Sequence, residues 1–368
     1  MTSVEDRIRA AIRAKVREIE ADAPPPLCLP ARRRRSVFLA YGGGEKDGAP
    51  PQRAWRRCMA PATCGVLVGA IAIAATSFAG SRHALPSAAR LPAAHAALRP
   101  SPALFLGVYA AGAPPSYKPI TEFAETAGRQ PDLVCYFSSW AKPFNTTFAT
   151  TVHDHNAVTL VQIDPTNASI AAIAAGDYDD YLRGYADAVR SFGHPVVIGF
   201  GHEMNARWYS WGYGHVPPTV FVAAWRHLVN LFRQQGADNV TWLWTIQAQG
   251  SGTGPAAPWW PGSAYVTWVG IDGFYSRASD TFRTLFGPTI ANVRSLTSKP
   301  ILLSETGVSA QAGQAAGIRN LFGGVAAYGL LGLVWFSEAP GNQPDWGIQD
   351  NRAAKAALRY GISTLTRR

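Results

Sequence analysis

The chain has little cysteine, little net charge in its C-terminal part, and no clustering of metal-binding side chains there. Four cysteines occur in 368 residues, and Cys28, Cys58 and Cys64 all fall in the N-terminal quarter. Cys135 is alone in the remainder, which excludes an internal disulfide from that part and leaves its stability to a packed core. The net charge of +10 is unevenly spread: residues 1–99 carry 16 Lys and Arg against 7 Asp and Glu, and residues 100–368 carry 18 against 17. A nearly neutral C-terminal part excludes the basic surface that a nucleic-acid partner needs. His153-Asp154-His155 has the right residue types for a metal, but i and i+2 share a face only in a strand, and no further His or Cys recurs nearby. It reads as helix or loop surface, so no metal is expected, and no cofactor is implied.

The N-terminal segment has three pieces. In residues 1–57, a basic tail, Val4, Ile8, Ile12, Val16 and Ile19 fall on one helical face with five Arg or Lys between them. Such a helix suits an anionic membrane surface, a partner, or plain solvation. Residues 21–57 are rich in Pro, Gly and Arg and are expected to be disordered. Residues 58–81 lack charge and contain CGVLVGAIAIAATSFAG at 64–80. At about 1.5 Å per helical residue, this run spans a hydrocarbon core of roughly 30 Å. Arg53, Arg56 and Arg57 before it put the N-terminus in the cytoplasm and the C-terminal domain outside, as a single-pass signal anchor in the cell membrane. Ser77-Phe78-Ala79 offers the alternative of signal cleavage and secretion. Cys58 and Cys64 read as small residues beside the helix or as acylation sites. Residues 82–103 form an Ala- and Pro-rich linker.

Residues 104–368 match the size of one (β/α)8 barrel. Eight short segments rich in Val, Ile, Leu and aromatics begin at 105, 133, 158, 196, 240, 265, 301 and 330. Helical patterns fall between several of them, as at 178–193 and 219–236, and a last helix from Asn351 to Thr366 would close the ring. Strand alternating with helix argues for an α/β fold with a parallel sheet, and eight repeats argue for closure into a TIM barrel.

Two of these segments carry chemistry. PVVIGFGHEMNARWYSWG at 195–212 and KPILLSETG at 299–307 each run from an apolar strand into a glutamate, Glu203 after the fourth strand and Glu305 at the end of the seventh. Barrel active sites lie at the C-terminal ends of strands. Paired carboxylates about 5 to 5.5 Å apart are the machinery of a retaining glycosidase, provided that one stays ionised while the other holds a proton. His202 and Asn205 can supply hydrogen bonds beside Glu203, and Ser304 and Thr306 flank Glu305. Sugar clefts need aromatic platforms with polar groups at their edges. Trp140, Trp208, Trp211, Trp259, Trp260 and Trp335 are the candidates, whereas Trp244 and Trp268 sit inside strands and read as core. Asp164, after the third strand, reads as an N-cap or turn residue.

HEMN followed by W-x-x-W-G, then WVGIDG, PILLSETG and V-W-F before D-W, in this order and spacing, resembles glycoside hydrolase family 26, the retaining β-mannanase family, from about residue 104 to the end. The resemblance implies that Glu203 is the general acid and base and Glu305 the nucleophile. It implies that His202 and Trp208 line the subsite around the cleaved bond, that Trp335 is the platform beneath the sugar, and that Asp272 is the acid of a D-x-Y motif. The tyrosine of that motif, which contacts the nucleophile, falls on Phe274, and adjacent Tyr275 replaces it only if the strand ends or bulges there. Gly199 stands where several members carry arginine, and Ala206 follows HEMN where Gly is common. The implied partner is a polysaccharide, β-1,4-mannan first, with mixed-linkage β-glucan and β-1,3-xylan as alternatives. A carbohydrate-binding barrel without turnover is the contrasting reading.

Overall fold

The computed structural model describes residues 104–337, 346–348 and 351–365. The basic tail, the apolar run expected to anchor the chain and the linker all lie outside the described residues. Among the described residues no helix is long and apolar enough to cross a membrane.

The eight expected strands form. They are β1 Phe105–Ala110, β2 Leu133–Ser139, β3 Val158–Asp164, β4 Val196–Phe200, β5 Val240–Gln247, β6 Trp268–Tyr275, β7 Ile301–Val308 and β8 Gly332–Ser337. Each pairs in parallel with the next, and β8 pairs with β1, so the sheet closes. The sixth strand starts later than its sequence suggests. Tyr265 closes a turn on the Gly262 carbonyl and lies under Arg226 and Arg233, at 5.3 and 5.5 Å, before Thr267 bonds to Trp242 of β5.

Period-two alternation sorts the strand side chains. Phe105, Leu133, Cys135, Leu160, Val197, Leu243, Trp268, Leu302 and Val334 fill the barrel interior. Phe105 and Trp268, on non-adjacent strands, meet across it with centroids 5.4 Å apart. The alternate set, including Leu106, Val134, Val161, Ile198, Trp244, Ile271 and Leu303, packs outward against the helices. Burial on both faces explains why these strands read as nearly unbroken apolar runs.

The helical layer comprises α1 Lys118–Ala127, α2 Thr146–Asp154, α3 Ile170–Ala175, α4 Asp179–Phe192, α5 Pro218–Gln234, α6 Phe282–Leu285, α7 Gly287–Leu296, α8 Gln314–Ala327 and α9 Arg352–Leu365. Caps set their limits: α4 opens on Asp179 and Asp180, which suit the positive end of the helix dipole, and stops at Gly193 with φ +75°. α9 closes the ring as expected, its Arg359 donating to the Thr126 and Glu125 carbonyls at the end of α1. His153-Asp154-His155 ends α2, with His153 stacked on His194 at 3.7 Å and His155 on Tyr117 at 4.0 Å, so the two rings go to different neighbours.

One irregularity positions chemistry. Gly270 pairs with Leu302, but Asp272 pairs with Glu305, so β7 spends three residues where β6 spends two. This bulge re-aims the strand. Unbroken alternation would turn Glu305 toward the helices with Leu303. The bulge instead sets it level with Asp272, whose side chain faces the barrel mouth.

Candidate active site

Glu203 reaches the mouth through a tight turn after β4. Gly201 and Glu203 take φ values of +55° and +53°. For a glutamate the left-handed conformation costs on the order of 1 kcal/mol, and it persists because neighbours fix it. The Glu203 N–H donates to the Thr245 carbonyl at 2.9 Å, and its own carbonyl accepts from Ala206 at 2.8 Å. Asn205 exchanges two hydrogen bonds with the Gln247 backbone, at 3.0 and 2.8 Å, and so staples this loop to the end of β5. Gly212 permits close approach, since a Cβ there would lie 2.5 Å from the Ala206 carbonyl oxygen.

The carboxylate itself is buried, and the Trp208 indole N–H donates to its Oε2. Burial raises the Glu203 proton affinity, and the His202 charge and the Trp208 N–H oppose it in part. This is the environment of a carboxyl that holds a proton.

His202 is held at both nitrogens: Nδ1 donates to Asp164 at 2.7 Å, and Nε2 lies 2.8 Å from the Tyr209 hydroxyl. Burial disfavours the imidazolium, but the Asp164 carboxylate beside it prevails and pushes its pKa up to about 9. Asp164 is therefore corrected from turn residue to buried ion-pair partner. It ends β3 on the face that also carries Leu160 and Gln162, an alternation that the sequence displayed.

Asp272 is fully buried and accepts from the Ser304 hydroxyl at 2.6 Å. Burial, and then the Glu203 charge, raise its pKa well above the usual carboxylate range. Asp272 thus faces Glu203 and pairs in register with Glu305, so one mouth holds all three carboxyls together with Asp164.

Three expected site residues are placed elsewhere. Trp335 joins Leu333 in the cluster between barrel and helices, while Val334 and Phe336 point inward, so alternation takes the expected platform out of the cleft. Its indole N–H donates to the Trp346 carbonyl. Trp140 is buried against Tyr178, Tyr181 and Phe200 in the helical layer. Tyr275 also faces outward and donates to Asn320 at 3.1 Å. Of the other tryptophans, Trp211 supports the loop by donating to the His202 carbonyl, Trp259 is buried against Phe221, and half-buried Trp260 packs edge-on to Trp244. Trp208 is the one that meets a catalytic candidate.

The aromatic floor comes from residues that the sequence reading did not choose as platforms, although Phe274, Phe336 and Trp346 lie in its motifs. Tyr109 stacks on Phe336 at 4.5 Å and meets Phe137 edge-on, and Phe274 contacts Phe336 and Trp346 at 5.6 and 4.8 Å. Strand alternation would have found Phe336, whereas Trp346 follows no period. At Gly199 the space belongs to Gln162: a Cβ there would lie 1.8 Å from Gln162 Oε1.

The family described as Glycosyl hydrolase family 26 matches residues 136–300. Endoglucanase H of Acetivibrio thermocellus is 28% identical over 269 residues, covering 68% of this chain and 29% of that protein. The β-1,3-xylanase TXYA of a Vibrio species is 27% identical over 110 residues, covering 29% of this chain and 23% of that protein. The chain thus spans less than a third of the length of these curated relatives. Among solved structures, the catalytic domain of the Bacillus sp. JAMB-750 GH26 endo-β-1,4-mannanase has a TM-score of 0.57 at 14% identity, covering 71% of this chain and 86% of that one. A Cellulomonas fimi endo-β-1,4-mannanase gives 0.57 at 15%, covering 71% and 70%. Identities this low speak for the fold alone. With the motifs in order on the fourth, sixth and seventh strands of a closed barrel, the chain is similar to glycoside hydrolase family 26, whose model matches residues 136–300.

Proposed function

We propose that the protein is a retaining endo-glycosidase that hydrolyses a β-linked polysaccharide. The observation that carries the reading is Asp272, which pairs with Glu305 in register and faces Glu203, so that both glutamates serve one mouth. Glu305 attacks the anomeric carbon while Glu203 gives its proton to the departing glycosidic oxygen, which breaks the bond and leaves a glycosyl ester on Glu305. Glu203, now ionised, takes a proton from water as that water attacks the same carbon and frees Glu305. Configuration is retained through two inversions. Trp208 borders the cleaved bond, His202 and Asp272 set charge beside Glu203, and Asn205 holds the loop. The reaction calls for no cofactor.

β-1,4-Mannan is the polymer that the motif resemblance puts first. The likeness to an endoglucanase over 269 residues favours β-glucan as a second reading. Purified full-length protein is assayed on mannan, glucomannan, mixed-linkage glucan and β-1,3-xylan, beside Glu203→Ala and Glu305→Ala, with azide added to each. Both variants lose hydrolysis. Azide restores a product of retained configuration to the first and of inverted configuration to the second. Binding without cleavage of any polymer by the unaltered protein makes the barrel a carbohydrate-binding module and ends the catalytic reading.

A further inference from the structure

Gln247 ends β5 and is a polar side chain of the mouth to which the double displacement assigns no task. Its direction follows from its neighbours along the strand. Leu243 belongs to the barrel interior, and Thr245 lies there too, its hydroxyl accepting from Gln162 at 3.0 Å. Trp244, Ile246 and Ala248 pack outward in the cluster under the helices. Two residues past Thr245, and between two outward neighbours, Gln247 points the way that Leu243 and Thr245 do.

Its place around the ring follows from strand pairing. Gln247 is in register with Asp272 of β6, and Asp272 with Glu305 of β7. Paired residues of neighbouring strands lie about 4.8 Å apart and turn their side chains to one face, so Gln247 stands beside Asp272 and two strands from Glu305. On its other side the Glu203 N–H donates to the Thr245 carbonyl at 2.9 Å, and Asn205 bonds the Gln247 N–H and carbonyl at 2.8 and 3.0 Å. Around the mouth the order is therefore Glu203, Gln247, Asp272, Glu305.

The backbone of Gln247 is spent on Asn205, but its side-chain amide is not. Oε1 is shielded from solvent and accepts from no group among the described residues. Such an acceptor costs free energy until a donor meets it. The residue as a whole is only half-buried, so the amide is within reach of a molecule in the mouth. An amide offers an acceptor and a donor side by side, and adjacent hydroxyls of a sugar ring match both.

We infer that Gln247 is a substrate-binding residue of the displacement: its amide bonds a hydroxyl of the pyranose ring held at the cleaved bond, between the acid and the nucleophile. The inference rests on the glycosidase reading above.

The test is Gln247→Leu in the full chain, which nearly keeps the volume, removes both polar atoms and leaves the backbone bonds to Asn205. Gln249→Leu is the control, because exposed Gln249 accepts from Asn292 of α7, outside the mouth. On the polymer that is cleaved, Gln247→Leu is expected to lower kcat/KM about five- to fifty-fold, the range for a hydroxyl left without its partner. Tm stays level or rises, because a sheltered unpaired acceptor is gone. Gln249→Leu leaves kcat/KM within about twofold. Unaltered kcat/KM in Gln247→Leu overturns the inference, as does a loss of activity that comes with a fall in Tm, the mark of a merely structural residue. If the unaltered protein cleaves no polymer, the glycosidase reading fails by itself, and calorimetry with mannohexaose and a mixed-linkage β-glucan hexasaccharide decides the contact. Weaker binding by Gln247→Leu then supports it, and equal binding, or none by either protein, overturns it.

Discussion

Replacing Trp208 by Phe removes one hydrogen bond from the acid that must deliver a proton, and its effect can be worked out in sign and size. The indole N–H donates to Glu203 Oε2 and favours the ionised carboxyl, against the burial that raises its pKa. Phe keeps a ring over Gly252, where a Cβ would lie 3.3 Å from the Trp208 ring, but has nothing to donate. A hydrogen bond to a charged group is worth about 1.5 to 3 kcal/mol, which at about 1.4 kcal/mol per pH unit corresponds to a rise of roughly 1 to 2. Trp208 is half-buried, so water recovers part of the loss and a rise of about one pH unit is expected.

The assay is kcat/KM against pH on the polymer that is cleaved. Its alkaline limb reports loss of the acid's proton in the free enzyme, and because Asp272 faces Glu203 the limb belongs to the pair. Trp208→Phe should move that limb upward by about one unit, while KM rises for the smaller ring. An unmoved limb with a raised KM would reduce Trp208 to a sugar platform. A downward shift would refute the assignment of Glu203 as the acid held protonated by burial.

Two further outcomes are expected. His202 has its pKa raised from 6.5 to about 9, so the stability that it contributes is complete below 6.5 and is lost as pH climbs through 9. This amounts to at most roughly 3 kcal/mol, and Asp164→Asn should flatten the fall of Tm between these values, with parallel slopes in the two proteins counting against the ion pair. Gly199→Ala forces Gln162 off its 3.0 Å bond to Thr245, at a cost of about 1 to 3 kcal/mol for overpacking. In a Gln162→Ala background the same substitution should cost clearly less by thermal denaturation, and an equal cost would mean that the clash is relieved elsewhere.

Much of the fold was legible because each strand is apolar on both faces and several helices between them open on a capping side chain or stop at a left-handed glycine. Glu203 and Glu305 were legible because catalytic groups of a barrel gather at strand ends, so that order along the chain translates into place. Asp164 and Phe336 were legible in principle, since counting by twos from Leu160 and from Val334 reaches them. The same count turns Trp335 outward, where a motif read without its alternation had brought it in, and it turns Tyr275 outward because β6 runs through that residue.

Local pattern by itself thus determined the eight strands, the approximate limits of three helices and which two carboxylates belong to the mouth ends of the fourth and seventh strands. The tertiary structure decided which way those carboxylates point and what surrounds them. A three-for-two bulge in β7 turns Glu305 to the mouth, and register with a neighbouring strand is not a property of β7 alone. The pairs Asp164 with His202, Asp272 with Ser304 and Asn205 with Gln247 join residues 32 to 42 positions apart. Their proton affinities depend on burial and on charges brought together by closure of the barrel, and no stretch of chain carries that information before the ring is shut.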